Sequence, residues 1–482
     1  HYYVRPIAAE EAAVMATAGA NDGDAVKDGL EGLHFRAIPI PARFKIPLEE
    51  ALDQVELEIW QVREEEADAK ARWADLERAA AGALGDWREQ IEAHLTILTA
   101  MGLFGATTFL NLITGFLPAS ACGTIEKEIH QATGGKCAIE LSAPEEEHAV
   151  QEERVQVPTR FSNPAFLKPF ERMVGTYGYP SYQGIDPTLF FAITFLLMFG
   201  LMFGDVGHGF TLVLLGALGM FLPSKKLARM REGAQLLLFA GGSSFLFGLL
   251  FGSIFGSEEI IPALWLRPFE QGNTMRFLFL TVLLGVGMLT LGILLNMVQA
   301  VLKRAYREAL FGQWGLFSGL FYWMALILLG GALKGEPIPL YVSAPALVVP
   351  LLLVMFGDFV YAALAHRGPE ADKLETDVLE SLFKPVEMTL GYLTHTISYV
   401  RVGAFALNHA ALGAAIFLIA GQIPNREASL SVVIEGNILA IVLEGLVVFI
   451  QCLRLEYYEF FSKFFAGDGL KFDPLSLRPA ER

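Results

Sequence analysis

Apolar positions recur along this chain in two different rhythms. Between Pro47 and about residue 100 they return every three or four residues: positions 52, 55, 59, 62, 69, 73, 76, 80, 83 and 87 are Leu, Val, Ile, Val, Ala, Trp, Leu, Ala, Ala and Trp, broken by Glu66. With Arg63, Glu64, Glu65 and Lys70 on other faces, this heptad seam predicts a long coiled-coil helix over 47–105 whose apolar edge needs a partner strand. From residue 186 the alternation gives way to eight apolar runs, near 186–203, 206–222, 234–256, 276–301, 312–333, 340–364, 386–420 and 431–465, each read as a transmembrane helix. The last two span 35 residues each, where a perpendicular crossing takes about 20. They must tilt steeply, break, or project into water.

Between these regions, residues 106–141 run as an apolar strand-like stretch, a Pro118-Ala119-Ser120 helix start, an amphipathic helix, Gly134-Gly135 and a second strand. This pattern predicts a small α/β module over 106–158 that ends in a polar linker, followed by a membrane-entry segment over 159–185. Residues 1–46 are part of a soluble lobe, loosely ordered over 8–33 where the chain is small, polar and Gly-containing. The fold class expected is therefore mainly α: an eight-helix polytopic membrane domain over 186–482, plus an N-terminal soluble coiled coil and a small α/β module.

Composition sharpens this division. Over the 482 residues 53% are hydrophobic, and the formal net charge is −16. Residues 1–180 hold 29 Asp and Glu against 16 Lys and Arg, and residues 181–482 hold 23 against 20, so the acidity belongs to the soluble half. An acidic soluble half argues against a nucleic-acid partner and suits docking to basic protein surfaces. Cys122, Cys137 and Cys452 are too few and too scattered for a disulfide framework or a zinc site, so no metal is expected. The Gly134-Gly135-Lys136 stretch lacks the spacing of a phosphate-cradling loop, so neither a nucleotide site nor a cofactor is expected. Opening at His1 with neither an initiator methionine nor a signal sequence, the chain is expected to be part of a longer protein.

Topology follows from the cations. If residues 1–180 are cytoplasmic, the inside loops carry Lys225, Lys226, Arg229, Arg231, Lys303, Arg304, Arg307, Arg367 and Lys373, and the outside loops only Arg267, Lys334 and Arg426. That asymmetry puts both ends inside.

The long runs carry polar residues at regular intervals. Glu387, Thr394, Arg401 and Asn408 stand seven apart, flanked by His395, Ser398 and His409; Asn437, Glu444, Gln451 and Tyr458 do the same on the last run, with Arg454 close by. Seven residues turn a helix by only about −20°, so each set forms a stripe at membrane depth. A guanidinium there costs at least about 2.5 kcal/mol and something must face it. One reading pairs Glu444 with Arg401 or Arg454 inside the bundle. The sharper one is a wet path along the stripes, interrupted by a fixed cation. Asp205 and His208, in Met202–Gly209 (MFGDVGHG), read as a capped turn or as lining at an outer channel mouth, and Glu258 and Glu259 as an outer vestibule or a solvated loop.

The strings TISYVRVGAFALNHAAL (396–412), EGLVVFIQCLRLEYYEFFSKFFAGDGLKFDP (444–474) and MFGDVGHG resemble the membrane subunit a, or subunit I, of V-type and V/A-type rotary ATPases. The resemblance covers essentially the whole chain. It implies a stator subunit with two proton half-channels, anchored in the lipid bilayer and partnered by rotor-ring subunits that each carry a membrane carboxylate, with peripheral-stalk subunits on the soluble domain. Arg401 would face the ring and force each passing carboxylate to release its proton. Glu387 would sit in the cytoplasmic half-channel, Glu444 and His409 in the other, and Arg454 with Arg401 in the barrier between them. Asn408 departs from the small apolar residue expected there. The chain would bind no ATP itself, and would lie in a prokaryotic cell membrane, or alternatively a vacuolar-type one. The rival readings are a proton-coupled secondary transporter with a soluble regulatory domain, and a purely structural anchor; the first lacks internal repeats, and the second has no use for polar stripes.

Overall fold

The computed structural model describes residues 2–8, 11–16, 22, 25, 28–29, 48–146, 155–221, 231–268, 270, 272–336, 338–364 and 378–476. Lys225, Lys226, Arg229, Arg367 and Lys373, the linker residues 147–154 and most of the 1–46 lobe lie outside them. The chain divides into two compact units, His1–Ile113 with Leu475–Arg482, and Thr114–Pro474.

In the first unit, β1 (Tyr2–Ala8) and β2 (Glu11–Ala16) pair antiparallel, with Tyr2 opposite Ala16 and an irregularity between Pro6 and Ala8. Strands thus replace the loose lobe expected over 8–16, because backbone pairing with Tyr2–Ala8 outweighs the weak strand preference of the alanines. Helix α1 (Leu48–Met101) runs unbroken for 54 residues, about 81 Å by helix rise. Along its seam Ile59, Val62, Trp73, Leu76 and Trp87 are exposed, so the coiled-coil pairing is not made among the described residues. The seam's polar break is occupied by an ion pair, with Lys70 Nζ 2.6 Å from Glu66, and this neighbour lowers the Glu66 pKa. Short strands β3 (Gly105–Ala106) and β4 (Asn111–Leu112) close the unit as a small antiparallel pair.

In the second unit, α2 (Cys122–Thr133) follows Pro118 and a 3₁₀ turn, and ends on Gly134 in the left-handed region (φ 60°). Residues 136–141 pair with no strand among the described residues, so the second strand of the expected α/β module is not formed there. An apolar pattern can mark an extended segment, but it does not supply the neighbour that makes it a strand. Then β5 (Pro158–Thr159) runs parallel to β6 (Leu470–Lys471), which ties the entry into the apolar helices to their exit. The amphipathic helix α3 (Lys168–Tyr177) buries Phe170 and Val174, and Tyr457 Oη donates to its Met173 carbonyl at 2.8 Å.

Among the described residues, six long apolar helical spans and two shorter apolar helices follow. Helices α4 (Thr188–Met202) and α5 (Val206–Phe221) are short, at 15 and 16 residues. Then come α6 (Arg231–Phe251), α7 (Asn273–Leu302), the short α8 (Tyr306–Phe311) leading into α9 (Leu316–Leu333), and α10 (Leu340–Leu364). The last pair is α11 (Val378–Ser398) with α12 (Val400–Gly421), and α13 (Arg426–Leu439) with α14 (Gly445–Arg454). Among the described residues, six helical spans are long and apolar enough to cross a membrane; α4 and α5 fall short of that length. Close helix approach comes from small residues: a Cβ at Gly248 would meet Val206 N at 2.3 Å, and one at Gly209 would meet Phe245 N at 2.4 Å. Phe191, Phe195, Phe203, Phe460 and Phe461 fill the shared core.

The two long runs depart from a regular α-helix differently. The seventh is interrupted for one residue at Tyr399, between α11 and α12, but the backbone there keeps right-handed helical angles (φ −73°, ψ −12°) and the two run on as one 39-residue span. The eighth stays helical but widens twice into π-helical turns, Ala440–Glu444 and Leu455–Phe460. Each π turn inserts a residue's worth of rotation and re-aims the side chains beyond it.

Candidate functional site

Helices α4 and α5 meet at Phe203-Gly204-Asp205, and Asp205 is fully buried there. Its carboxylate accepts four hydrogen bonds: from His208 N (2.9 Å) and Phe255 N (2.8 Å) on Oδ1, and from Ser253 Oγ (2.6 Å) and Gly256 N (2.8 Å) on Oδ2. The partners at 253–256 belong to the loop after α6, which bends through left-handed conformations at Gly252 (φ 74°), Phe255 (φ 49°) and Gly256 (φ 78°). Gly256 lies against Gly413 of α12, where a Cβ would come within 2.7 Å of the opposing Cα. The turn-cap reading of Asp205 therefore holds in its physical content: the carboxylate pins a returning loop onto the hairpin.

The same hairpin presents His208 to the last helix pair. Asn437 Nδ2 donates to the Val433 carbonyl at 2.8 Å, which turns Oδ1 toward His208 Nε2 at 2.7 Å, so Nε2 carries the proton and donates. Facing it, His409 Nδ1 donates to Glu444 Oε2 at 2.8 Å, and Asn408 Nδ2 reaches Glu444 Oε1 at 3.4 Å. The two imidazole rings cross at 77° with centroids 5.3 Å apart, and Phe203 packs on both. Glu444 closes the first π turn, which carries it inward. Asp205, His208 and His409 each offer a ligand atom within 4.8 Å of the others, so this trio could hold a metal ion. A small cavity lined by Glu258, Ser253, Met202, Phe251, Ala406 and His409 adjoins the cluster. Burial holds the Glu258 carboxyl above its ordinary value, against the opposing pull of Arg267.

The sequence stripes thus divide. Asn437, Glu444 and His409 turn inward and join Asp205 and His208, while Asn408 is exposed but reaches Glu444. Glu444 is partnered by His409 and Asn408, not by Arg401 or Arg454 as the bundle-pairing reading supposed. Arg401 is half-buried two residues past the interruption at Tyr399, and its Nη1 is buried without a hydrogen-bond partner. Arg401, Arg454 and Lys463 act electrostatically on Glu459, and Ser398 Oγ nearby donates to the Thr394 carbonyl at 2.9 Å. Glu387, Thr394, Arg454 and Tyr458 are exposed, and Gln451 is half-buried with Oε1 unpartnered. His395 packs edge-on to Trp314 with ring centroids 5.7 Å apart, and Lys463 Nζ sits 3.7 Å from the centre of the Trp314 ring.

Sequence reasoning missed Ser253, Glu456, Glu459 and Lys463. The last three are buried on the second π turn and just beyond it. Their spacing of three and four residues is the signal that could have found them, since it puts all three on one face. The Asp205–Ser253 contact joins residues 48 apart and has no local signal.

A family model described as the V-type ATPase 116kDa subunit family matches residues 9–265 and 365–477. Among curated relatives, the A-type ATP synthase subunit I of Aeropyrum pernix is 27% identical over 470 residues, covering 86% of this chain and 65% of its own length. The protein of the same name from Pyrococcus horikoshii is 27% identical over 76% of this chain and 54% of its own, and that from Methanocaldococcus jannaschii 25% over 80% and 59%. The chain therefore spans between about half and two thirds of the length of these relatives. The family match extends over the Asp205 hairpin, the Arg401–His409 helix and the Glu444–Arg454 helix, and the chain belongs to the V-type ATPase 116kDa subunit family, the membrane subunit a, or subunit I, of V-type and V/A-type rotary ATPases.

Proposed function

We propose that this chain is the ion-conducting stator subunit of a rotary V/A-type ATPase or ATP synthase, forming two proton half-channels against a rotor ring with Arg401 between them. The observation that carries this reading is Arg401 itself. It lies on a 39-residue span long and apolar enough to cross a membrane, with a buried guanidinium nitrogen that meets no hydrogen-bond acceptor among the described residues. A group that cannot deprotonate and has so few partners in its own chain calls for an acid from another subunit. A ring carboxylate passing Arg401 would be held ionised, and the same carboxylate turned toward lipid would be driven neutral. Rotation between the two environments releases and takes up protons.

The cluster of Asp205, His208, His409 and Glu444 supports an outer half-channel. A 15-residue helix rises only about 22 Å against a hydrocarbon core of about 30 Å, so the turn after α4 sits below the far surface. Irregular backbone at that depth is stable only where protein buries it or water lines it, which accounts for the four hydrogen bonds to Asp205. Glu387 belongs to the cytoplasmic half-channel in this reading, with Arg454 sharing the barrier. Counting α4 and α5 as crossings gives eight. An even number agrees with the β5–β6 pairing, which brings the chain before the first apolar helix beside the chain after the last. Both ends then lie in the cytoplasm, where the acidic residues 1–158, with the α1 seam as a coiled-coil arm, would engage peripheral-stalk subunits.

Ala404 is exposed one turn from Arg401. Ala404→Cys in the assembled complex is expected to cross-link to a cysteine beside the carboxylate of a ring subunit. An assembled, active complex that gives no such cross-link would sink the reading.

A further inference from the structure

Two buried imidazole nitrogens in the Asp205 cluster have no hydrogen-bond partner among the described residues: Nδ1 of His208 and Nε2 of His409. The residues are 2% and 6% exposed, and both rings are oriented by their other nitrogen. The Asn437 amide fixes His208 with the proton on Nε2, and the Glu444 carboxylate fixes His409 with the proton on Nδ1. Both remaining nitrogens therefore present lone pairs. The two ring centres are 5.3 Å apart and each ring offers a nitrogen within 4.8 Å of one on the other; two such acceptors are satisfied by a cation or by a two-hydrogen donor such as water, and not by each other. An imidazole oriented by a carboxylate on its far nitrogen is also the arrangement in which histidine binds transition metals most firmly.

We infer that His208 Nδ1 and His409 Nε2 form a two-imidazole site for a borderline-soft divalent cation, Zn²⁺ or Cu²⁺, with the Asp205 carboxylate as its counter-charge. Imidazole nitrogens select such ions over Mg²⁺ and Ca²⁺, which prefer oxygen ligands. The four hydrogen bonds on Asp205 already fill its oxygens, so it supplies charge, and water completes the coordination. The Asp205 oxygen nearest His208 Nδ1 is 3.9 Å away, which suits that role. The small cavity lined by Glu258 and His409 adjoins the site on the side of the loop after α6. On the proposed function above, a bound ion would occupy the outer half-channel and stop proton exchange through it, which makes this an inhibitory site.

The test uses the intact, tag-free complex titrated with Cu²⁺ and followed by electron paramagnetic resonance. Hyperfine coupling to two imidazole nitrogens is expected, falling to one in His208→Gln and in His409→Gln, with affinity at least ~10-fold weaker in each. Zn²⁺ is expected to displace the signal. If one variant fails to assemble, the other still reports. A Cu²⁺ signal with no nitrogen coupling, or one unchanged in both variants, would overturn the site and leave water as the occupant. Zinc inhibition of proton transport in reconstituted vesicles then tests the route separately: transport that persists with the site saturated would overturn the outer half-channel and leave the metal site standing.

Discussion

The two ends of the long helical pair handle polar groups in opposite ways. Around the Asp205 turn nearly every donor and acceptor is closed within the chain: Asp205 by four hydrogen bonds, His208 by Asn437, and Glu444 by His409 and Asn408. Around Arg401 the groups are only partly closed, with Arg401, Arg454 and Lys463 all acting on the buried Glu459. Arg454 and Glu387 are exposed, and Arg401 has a buried nitrogen without an acceptor. A polar network inside a bilayer must be satisfied somewhere, so the first region is closed in the folded chain but for His208 Nδ1 and His409 Nε2, and the second is completed by a partner. Substitutions in the first should cost stability as well as transport, and substitutions in the second mainly transport.

The largest effect expected is Arg401→Ala. ATP-driven proton transport in reconstituted vesicles should fall at least ~100-fold, more than the ~10-fold that 1.4 kcal/mol represents. The thermal midpoint of the membrane part should fall by only about 2–4 °C, since Glu459 loses one of the three cations that act on it while the partner that drives transport lies outside the chain. Arg401→Lys should recover little, because an ammonium lacks the planar fork and can lose its proton. Wild-type pumping in the alanine variant would erase the distinction between the two regions.

Asp205→Ala should do the reverse. It strands the backbone N–H groups of His208, Phe255 and Gly256 together, at about 1–3 kcal/mol for each buried donor left unsatisfied. The expected outcome is a cooperative loss of about 3–5 kcal/mol, read as a lowered thermal midpoint and faster proteolysis in the 252–272 loop. Unchanged stability would mean that the returning loop is held by something other than this carboxylate.

How much of this was legible beforehand follows the range of the interactions. The long helix, the apolar runs and the polar stripes are local periodicities, and all appear as helices. The α1 seam is equally legible, yet its partner strand is not found among the described residues. The interruption at Tyr399 has no proline or glycine to announce it, and the π turns shift residues such as Glu444 by an angle that a strict seven-residue count cannot contain. The stripe Asn437, Glu444, Gln451 and Tyr458 therefore ends with its first two members buried and Tyr458 exposed. His208 facing His409 across some two hundred residues was beyond any local pattern, although both were singled out.

Glu444→Gln sharpens the comparison from inside the closed region. The amide keeps an oxygen that can accept from His409 Nδ1, but it adds a donor pair in place of the oxygen that Asn408 approaches, and it removes the charge that holds the imidazole. A stability loss of about 1–3 kcal/mol is expected, together with a fall in proton transport of ~10-fold, smaller than for Arg401 because water can carry protons past one altered group. Glu444→Ala should lose more stability and no less transport. Equal loss in the Gln variant and in Arg401→Ala would mean that Glu444 belongs to the barrier and not to a route beside it.

The smallest effect is expected at Glu387, and it tests whether the open region opens where the comparison puts it. Glu387 is exposed on α11 and precedes Arg401 by fourteen residues, about 21 Å along a straight helix. Being exposed and without a fixed partner among the described residues to strand, Glu387→Gln should leave stability within about 0.5 kcal/mol and slow transport only ~2- to 5-fold. Its side is the informative quantity. With cysteine at 387 or at 444 in otherwise cysteine-free complexes, a membrane-impermeant thiol reagent should modify position 387 from the cytoplasmic face and position 444 from the other, the latter slowly because it is buried behind His409. Modification of both from one face would show that the two regions share a single aqueous compartment, and an arginine standing between two half-channels would then have nothing to separate.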